Sequence, residues 1–178
     1  MKIKKFNYKI VNSTNDIAIN LIMKKNINNG IVLAEKQKKG RGQRGKKWIS
    51  LKGNFFATVF FKLEKTNLTL KQLTKINVNI ISKLISLYYN KRIVIKFPND
   101  ILINKKKICG ILQETIQKKN ITFFLVGIGL NLVKNPNIPS YPTTNLYDLI
   151  GYRINIHTFS NQLVILYNKF LNSQKFFK

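Results

Sequence analysis

The run Asn54-Phe55-Phe56-Ala57-Thr58-Val59-Phe60-Phe61 constrains the fold more than any other stretch. A strand with one wet face alternates apolar and polar residues. This run is apolar at almost every position, so both of its faces need cover. Gly30 to Ala34 and Thr122 to Gly129 are apolar strands of the same kind. Shorter strands are expected at Phe6 to Ile10 and Ile93 to Lys96. Ile101 to Ile103 and Ile108 to Thr115 read as a hairpin turning at Asn104-Lys105. Ser13-Thr14-Asn15-Asp16 offers capping side chains for a helix through Ile17 to Met23, which Asn26 to Gly30 ends. Leu70, Leu73, Ile76, Ile80, Leu84 and Tyr88 recur at helical spacing and predict an amphipathic helix over roughly 69–89. Phe159, Leu163, Leu166 and Phe170 predict a closing helix, after an irregular loop marked by Pro136, Pro139 and Pro142. Helices fall between groups of strands. The expected fold class is therefore α/β (α+β): a mixed central β-sheet covered by helices, one domain over residues 1–178.

Bulk properties exclude several classes. No run is long and apolar enough to span a membrane. No apolar stretch follows the basic Met1-Lys2-Ile3-Lys4-Lys5, so no secretory signal is expected. One cysteine, Cys109, precludes an internal disulfide and fits a reducing cytoplasm. One histidine, His157, and one cysteine do not make a zinc site. The formal charge of +26 invites a nucleic-acid reading. Lysine, isoleucine and asparagine dominate the chain, however, and all three are read from A/T-rich codons. Composition alone can supply much of that charge, and the lysines are scattered.

The chemistry-bearing residues cluster in five segments. Gly40-Arg41-Gly42-Gln43-Arg44-Gly45, closely followed by Trp48, joins two apolar strands. Glycine permits close backbone approach, and arginine presents a fork of donors to carboxylate or phosphate. A solvated basic loop is the bland alternative. Lys96-Phe97-Pro98-Asn99-Asp100 ends a strand; it is either an ordinary turn or a place where Asp100 holds a metal or its waters. Lys107 opens the strand after Lys105-Lys106 and can point inward, where an ammonium would stabilise charge developing on a carboxylate or phosphoryl group. Cys109 reads as a core residue. Gly127-Ile128-Gly129-Leu130-Asn131 is either a strand bulge or a seat for a ring, with the Asn131 amide available to a base edge. Ser13-Thr14-Asn15 is either a helix cap or a set of polar groups facing a cleft. His157 reads as a solvated residue of the last helix. One histidine gives no nucleophilic triad. The inventory of backbone amides, Arg, Lys, Trp, one Asp and carboxamides suits binding and activating an anion by positioning and charge stabilisation.

In this order and spacing the segments resemble biotin–protein ligase, the biotin–[acetyl-CoA-carboxylase] ligase family. They are Ser13-Thr14-Asn15, Glu35-Lys36-Gln37 with the Gly40 to Gly45 loop and Trp48, Lys96 to Asp100, Lys107 to Glu114, and Gly127 to Asn131. The resemblance covers about residues 6–172. It implies a class II aminoacyl-tRNA-synthetase-like, biotin–lipoate ligase catalytic domain. It implies a cytoplasmic enzyme that uses ATP, biotin and Mg²⁺, makes biotinyl-5′-AMP, and biotinylates a lysine of a biotin carboxyl carrier protein or domain. By resemblance, Ser13, Thr14, Asn15, Gln37, Gly40, Arg41, Gly42 and Gly110 bind biotin. Arg41, Arg44, Trp48, Asn99, Asp100, Lys107, Gly129 and Asn131 bind ATP or the adenylate. Lys107 and Arg41 are the catalytic pair, and Asp100 is the Mg²⁺ residue. The loop over residues 40–45 is expected to act as a lid. Gln43 stands where many relatives carry a second arginine, and Phe97 where a tryptophan is common. No N-terminal helix-turn-helix domain and no C-terminal β-barrel domain are expected, nor specific DNA binding. The resemblance allows a homodimer, since relatives pair through sheet edges. Two other readings stand beside it: a lipoate–protein ligase or octanoyltransferase of the same fold, and a basic nucleic-acid-binding module.

Overall fold

The structure, a computed structural model, describes residues 2–63 and 68–173. The strands are β1 (Lys4–Val11), β2 (Asn29–Gln37), β3 (Phe55–Lys62), β4 (Val94–Lys96), β5 (Asp100–Ile103), β6 (Lys106–Lys118) and β7 (Ile121–Leu130). The helices are α1 (Thr14–Lys25), α2 (Leu70–Ser86), α3 (Leu146–Ile150) and α4 (Ile156–Ser173). The strands form one seven-stranded sheet in the order β1-β2-β3-β7-β6-β5-β4. β1 runs parallel to β2, and the other neighbours are antiparallel. The mixed, helix-covered sheet expected from the sequence is what forms.

β3 is buried on both faces because its side chains alternate between two cores. Phe55, Ala57, Val59 and Phe61 pack with α2 and α4, beside Ile81, Leu84, Phe159 and Leu163. Phe60 packs on the other face with Ala18 and Ile22 of α1 and with Phe123 and Leu125 of β7. Phe55, Phe56, Phe123 and Phe124 are all buried, so none offers a stacking surface for bases.

Several local expectations sharpen. Asn104 and Lys105 both take positive φ, 51° and 62°, the two-residue turn that matches hairpin twist. Asn26 closes α1 in the left-handed region at φ 55°. α2 starts with a capping box between Thr69 and Gln72 and stops at Ser86, short of the predicted 89. Its buried face is rotated from the predicted stripe: Leu70 is 56% exposed, and the polar Asn77 is buried. Asn77 accepts from Tyr167 Oη at 3.0 Å and donates to Gln113 Oε1 at 3.0 Å, and these bonds offset the cost of burying it. Ser13 stands at the N-cap position of α1, but its side chain makes no capping hydrogen bond. Gly127 and Gly129 sit in regular register opposite Thr58 and Phe56, not in a bulge. α3 was not predicted from its short sequence; Asn145 caps it by accepting from the Asp148 N–H at 2.9 Å. His157 is exposed in the first turn of α4, as the sequence suggests. No described helix is long and apolar enough to cross a membrane.

Cys109 is fully buried on β6, and desolvation pushes its thiol well above the ordinary range. Only the thiolate is nucleophilic. The folded protein should therefore resist alkylation by iodoacetamide at pH 8 and react at Cys109 only once denatured, as mass spectrometry of intact protein would show.

Candidate active site

Directly paired residues in a sheet share a face, and this rule builds the site. On the α1 side of the sheet, β7 presents Phe123 and Leu125 to the core and then Gly127 and Gly129. Opposite these glycines lie Thr58 and Phe56 of β3, and Leu112 and Gly110 of β6. The apolar floor thus gives way to a floor of glycine at one end of α1. Above it lies a cleft of about 800 Å³, walled by α1, the Gly40 to Trp48 loop, the Phe97 to Asp100 turn and the proline loop.

The glycines are seats for side chains. A Cβ on Gly127 would meet Asn15 Oδ1 at 2.4 Å, and one on Gly129 would meet the Trp48 ring at 2.3 Å. Gly110 faces the same ring at 2.6 Å. Trp48 therefore lies flat on a cross-strand pair of glycines. Its indole Nε1 is buried and has no hydrogen-bond partner among the described residues. A ligand oxygen would relieve a cost of about 1–3 kcal/mol there.

Polar groups line one end of the cleft. The Thr14 N–H and hydroxyl both donate to Gln37 Oε1, at 2.9 and 3.1 Å. The Thr58 hydroxyl lies 2.8 Å from Thr14 Oγ1 and 2.5 Å from Asn15 Oδ1. Asn15 Nδ2 donates to Glu114 Oε2 at 2.6 Å. Among the described residues Gln37 Nε2 reaches only Ser50 Oγ, at 3.5 Å, so this donor is barely engaged.

Arg41 sits in the same network from outside. It forks onto both oxygens of Glu114, at 2.8 and 2.9 Å, and touches Asp16 Oδ1 at 3.0 Å. Partial burial works against its charge, but Glu114 and Asp16 outweigh that and raise its pKa. The Arg41 side chain is 39% exposed, in the range where a single ion pair stabilises by about 0–1 kcal/mol. In this structure the guanidinium thus ties the loop to β6 and α1 at the border of the cleft. The loop is also closed on itself: the Gly42 N–H donates to Lys46 O at 2.7 Å, and the Trp48 N–H to Gly40 O at 2.9 Å. Arg44 takes φ 53° in the short 3₁₀ turn Gln43–Gly45.

At the other end stands the most buried ion pair. Lys107 Nζ lies 2.8 Å from Asp100 Oδ1, with both side chains under 15% exposed at 14% and 13%. Burial lowers the Lys107 pKa, but contacts with Asp100 and Tyr141 win and raise it, so Lys107 is cationic at neutral pH. Asp100 Oδ1 also accepts from Asn99 Nδ2 at 2.8 Å, and Oδ2 from Tyr141 Oη at 3.0 Å. Both oxygens of Asp100 are therefore engaged within the protein. No group of three Asp, Glu, His or Cys gathers among the described residues. The expected metal role of Asp100 finds no preformed site; a divalent ion would have to bring its other ligands with it.

The predicted residues converge. Ser13, Thr14, Asn15, Gln37, Arg41, Gly42, Arg44, Trp48, Asn99, Asp100, Lys107, Gly110, Gly129 and Asn131 all line this cleft. Gly40 does not; it is buried where a Cβ would strike Trp48 O at 2.6 Å. Asn131 is buried, with its Nδ2 on Thr144 O at 3.0 Å and its Oδ1 near Asn54 Nδ2 at 3.4 Å. Its amide supports the proline loop in this structure. Sequence reasoning missed Tyr141 and Thr143 in the wall, and the roles of Asp16 and Glu114. The signal for the acids was scarcity: three of only six acidic residues pair with the cleft cations.

Residues 8–131 match the biotin/lipoate A/B protein ligase family. The chain belongs to that family. It is 35% identical over 109 residues to a biotin--[acetyl-CoA-carboxylase] ligase of Paracoccus denitrificans, covering 60% of this chain and 45% of that protein. It is 34% identical over 113 residues to the bifunctional ligase/repressor BirA of Bacillus subtilis, covering 60% of this chain and 34% of that protein. The chain thus spans less than half the length of these two curated relatives. The biotin protein ligase from Aquifex aeolicus in complex with biotin and ATP superposes with a TM-score of 0.77 at 25% identity, over 93% of this chain and 69% of that one. The mixed sheet is therefore the fold of the biotin/lipoate ligases.

Trp48 is the protein's one tryptophan, so its fluorescence reports on the site. Gly129→Ala should push the ring off the sheet, shift its emission to longer wavelength and lower the melting temperature, as fluorescence-detected thermal unfolding would show. Emission like that of the unchanged protein would mean that the ring does not need this seat.

Proposed function

We propose that the chain is an ATP-dependent biotin–protein ligase. The carrying observation is one cleft with a half-buried lysine ammonium at one end and a cluster of carboxamide and hydroxyl groups at the other. In this reading, Ser13, Thr14, Asn15 and Gln37 hold the ureido ring of biotin, with Gln37 Nε2 and the Ser13 hydroxyl as its donors. The Gly110 and Gly42 backbones line the path of the biotin chain toward its carboxylate. That carboxylate attacks the α-phosphorus of ATP, the bond to pyrophosphate breaks, and biotinyl-5′-AMP forms. Lys107 lies where charge builds on the α-phosphoryl oxygens, and a preorganised cation in a partly dry site lowers that barrier. Asn99, Gly129, Asn131 and Trp48 border the nucleotide, and Arg44 with Arg41 closes over the adenylate. A Mg²⁺ ion brought in with ATP would supply charge that screens its phosphates, with Asp100 the nearest carboxylate to them in this reading. The neutral ε-amine of an acceptor lysine then attacks the acyl carbon, AMP leaves, and the amine proton is lost to water. The acceptor is a biotin carboxyl carrier protein or domain. The reaction is cytoplasmic, and an open sheet edge, β1 or β4, is the route to a homodimer.

The pairing of Arg41 with Glu114 and Asp16 gives the loop a defined task. Those pairs are exposed and individually weak, so the loop can part for ligands and close again. Closure protects the mixed anhydride from water until the acceptor arrives.

Incubation with ATP and either biotin or lipoate, followed by mass spectrometry, tests the substrate. Biotinyl-AMP is expected; formation of lipoyl-AMP alone would replace this reading with the lipoate one. Lys107→Ala should slow single-turnover adenylation by about a hundredfold or more while changing the biotin Kd little. Arg41→Gly cuts the ties of the loop to α1 and β6. It should release more biotinyl-AMP into solution when no acceptor is present, which filtration and quantitation of free adenylate would measure.

A further inference from the structure

We infer that Tyr141, delivered by the proline loop, is a positioning residue that works with Asp100 to hold the Lys107 ammonium in the cleft. The inference deepens the ligase reading and rests on it for its catalytic consequence. Its geometric part stands alone. Tyr141 Oη donates to Asp100 Oδ2 at 3.0 Å, while Asp100 Oδ1 meets Lys107 Nζ at 2.8 Å. The Tyr141 hydroxyl thereby fixes the carboxylate so that its other oxygen faces the ammonium. The ammonium also lies 5.2 Å from the Tyr141 ring centroid and 5.5 Å from that of Trp48. Aromatic faces at this range attract a cation.

The backbone repeats the arrangement. The Lys107 N–H donates to Pro142 O at 2.9 Å, and the Thr144 N–H to Lys107 O at 3.0 Å. The stretch after Tyr141 therefore runs as a short parallel bridge beside Lys107. That stretch is itself tied down. Asn135 Nδ2 donates to Thr143 Oγ1 at 3.0 Å, and Thr143 Oγ1 to Pro136 O at 2.5 Å. Burial pushes the Tyr141 phenol up, so it stays protonated and remains a donor at neutral pH.

A free lysine has four rotatable bonds and much rotamer entropy to lose. Orienting it before substrate arrives removes that cost from the reacting complex. Asp100 is then the second member of a lysine clamp. This use accounts for both of its oxygens without a metal.

The test uses Tyr141→Phe, which removes the donor and keeps the ring. Three quantities are read: single-turnover biotinyl-AMP formation, the biotin Kd, and acetylation of Lys107 by N-hydroxysuccinimidyl acetate, scored by mass spectrometry against exposed Lys83. Tyr141→Phe should slow adenylation by about tenfold with an unchanged biotin Kd, and raise Lys107 acetylation severalfold relative to Lys83. In a Lys107→Ala background the same change should add no further loss, because both act through one group. Unaltered Lys107 acetylation, or losses that add across the double variant, would overturn the inference. If the unchanged chain makes no biotinyl-AMP, the ligase reading fails while the acetylation ratio still decides whether the clamp exists.

Discussion

Strands β3, β7 and β6 share one antiparallel register, and every wall of the cleft is hung on it. The register sets Thr58 beside Gly127 and Gly129 beside Gly110. A slip of one residue would turn the glycines into the α2–α4 core and present Val126 and Ile128 to the cleft. The double burial of β3 prevents that slip. Phe55, Val59 and Phe61 on one face and Phe60 on the other would all be misplaced, at about 1.5–3 kcal/mol for each large side chain lost from its core.

On this floor the site divides into two polar systems of different strength. One is a long hydrogen-bonded chain from Gln37 through Thr14, Thr58 and Asn15 to Glu114, ending on exposed Arg41. Its inner members are buried and its outer ion pairs are wet. It can stay rigid where it meets a ligand and yield where the loop must move. The other is the compact set of Lys107, Asp100 and Tyr141, shielded by Trp48. Its charges are less screened, so it holds its geometry. The proposed adenylation chemistry would use both properties, a firm cation at the reacting phosphorus and a yielding cover above the product.

The charge of +26 looks different against this arrangement. All three ion pairs found among the described residues sit at the cleft. Acidic side chains are scarce, and half of them anchor Arg41 and Lys107. The basic composition of the surface says little, whereas the placement of a few carboxylates says much.

The sequence by itself determined the architecture and most of the cleft. Runs that are apolar at almost every position demand a sheet covered on both sides, and Asn104-Lys105 demands a tight hairpin. The motif segments carry most of the lining residues because each lies within a few positions of a strand end or helix start, where local rules place it. Tertiary structure alone decided what those residues touch. Asp16 and Glu114 lie 98 positions apart in the chain, yet both reach Arg41. Tyr141 meets Asp100 across 41 positions. Nothing in local spacing encodes such contacts. They arise when the loops after β2 and β7 fold back over one sheet face, and they give Asp100, expected from the sequence to serve a metal, a lysine and a tyrosine as partners.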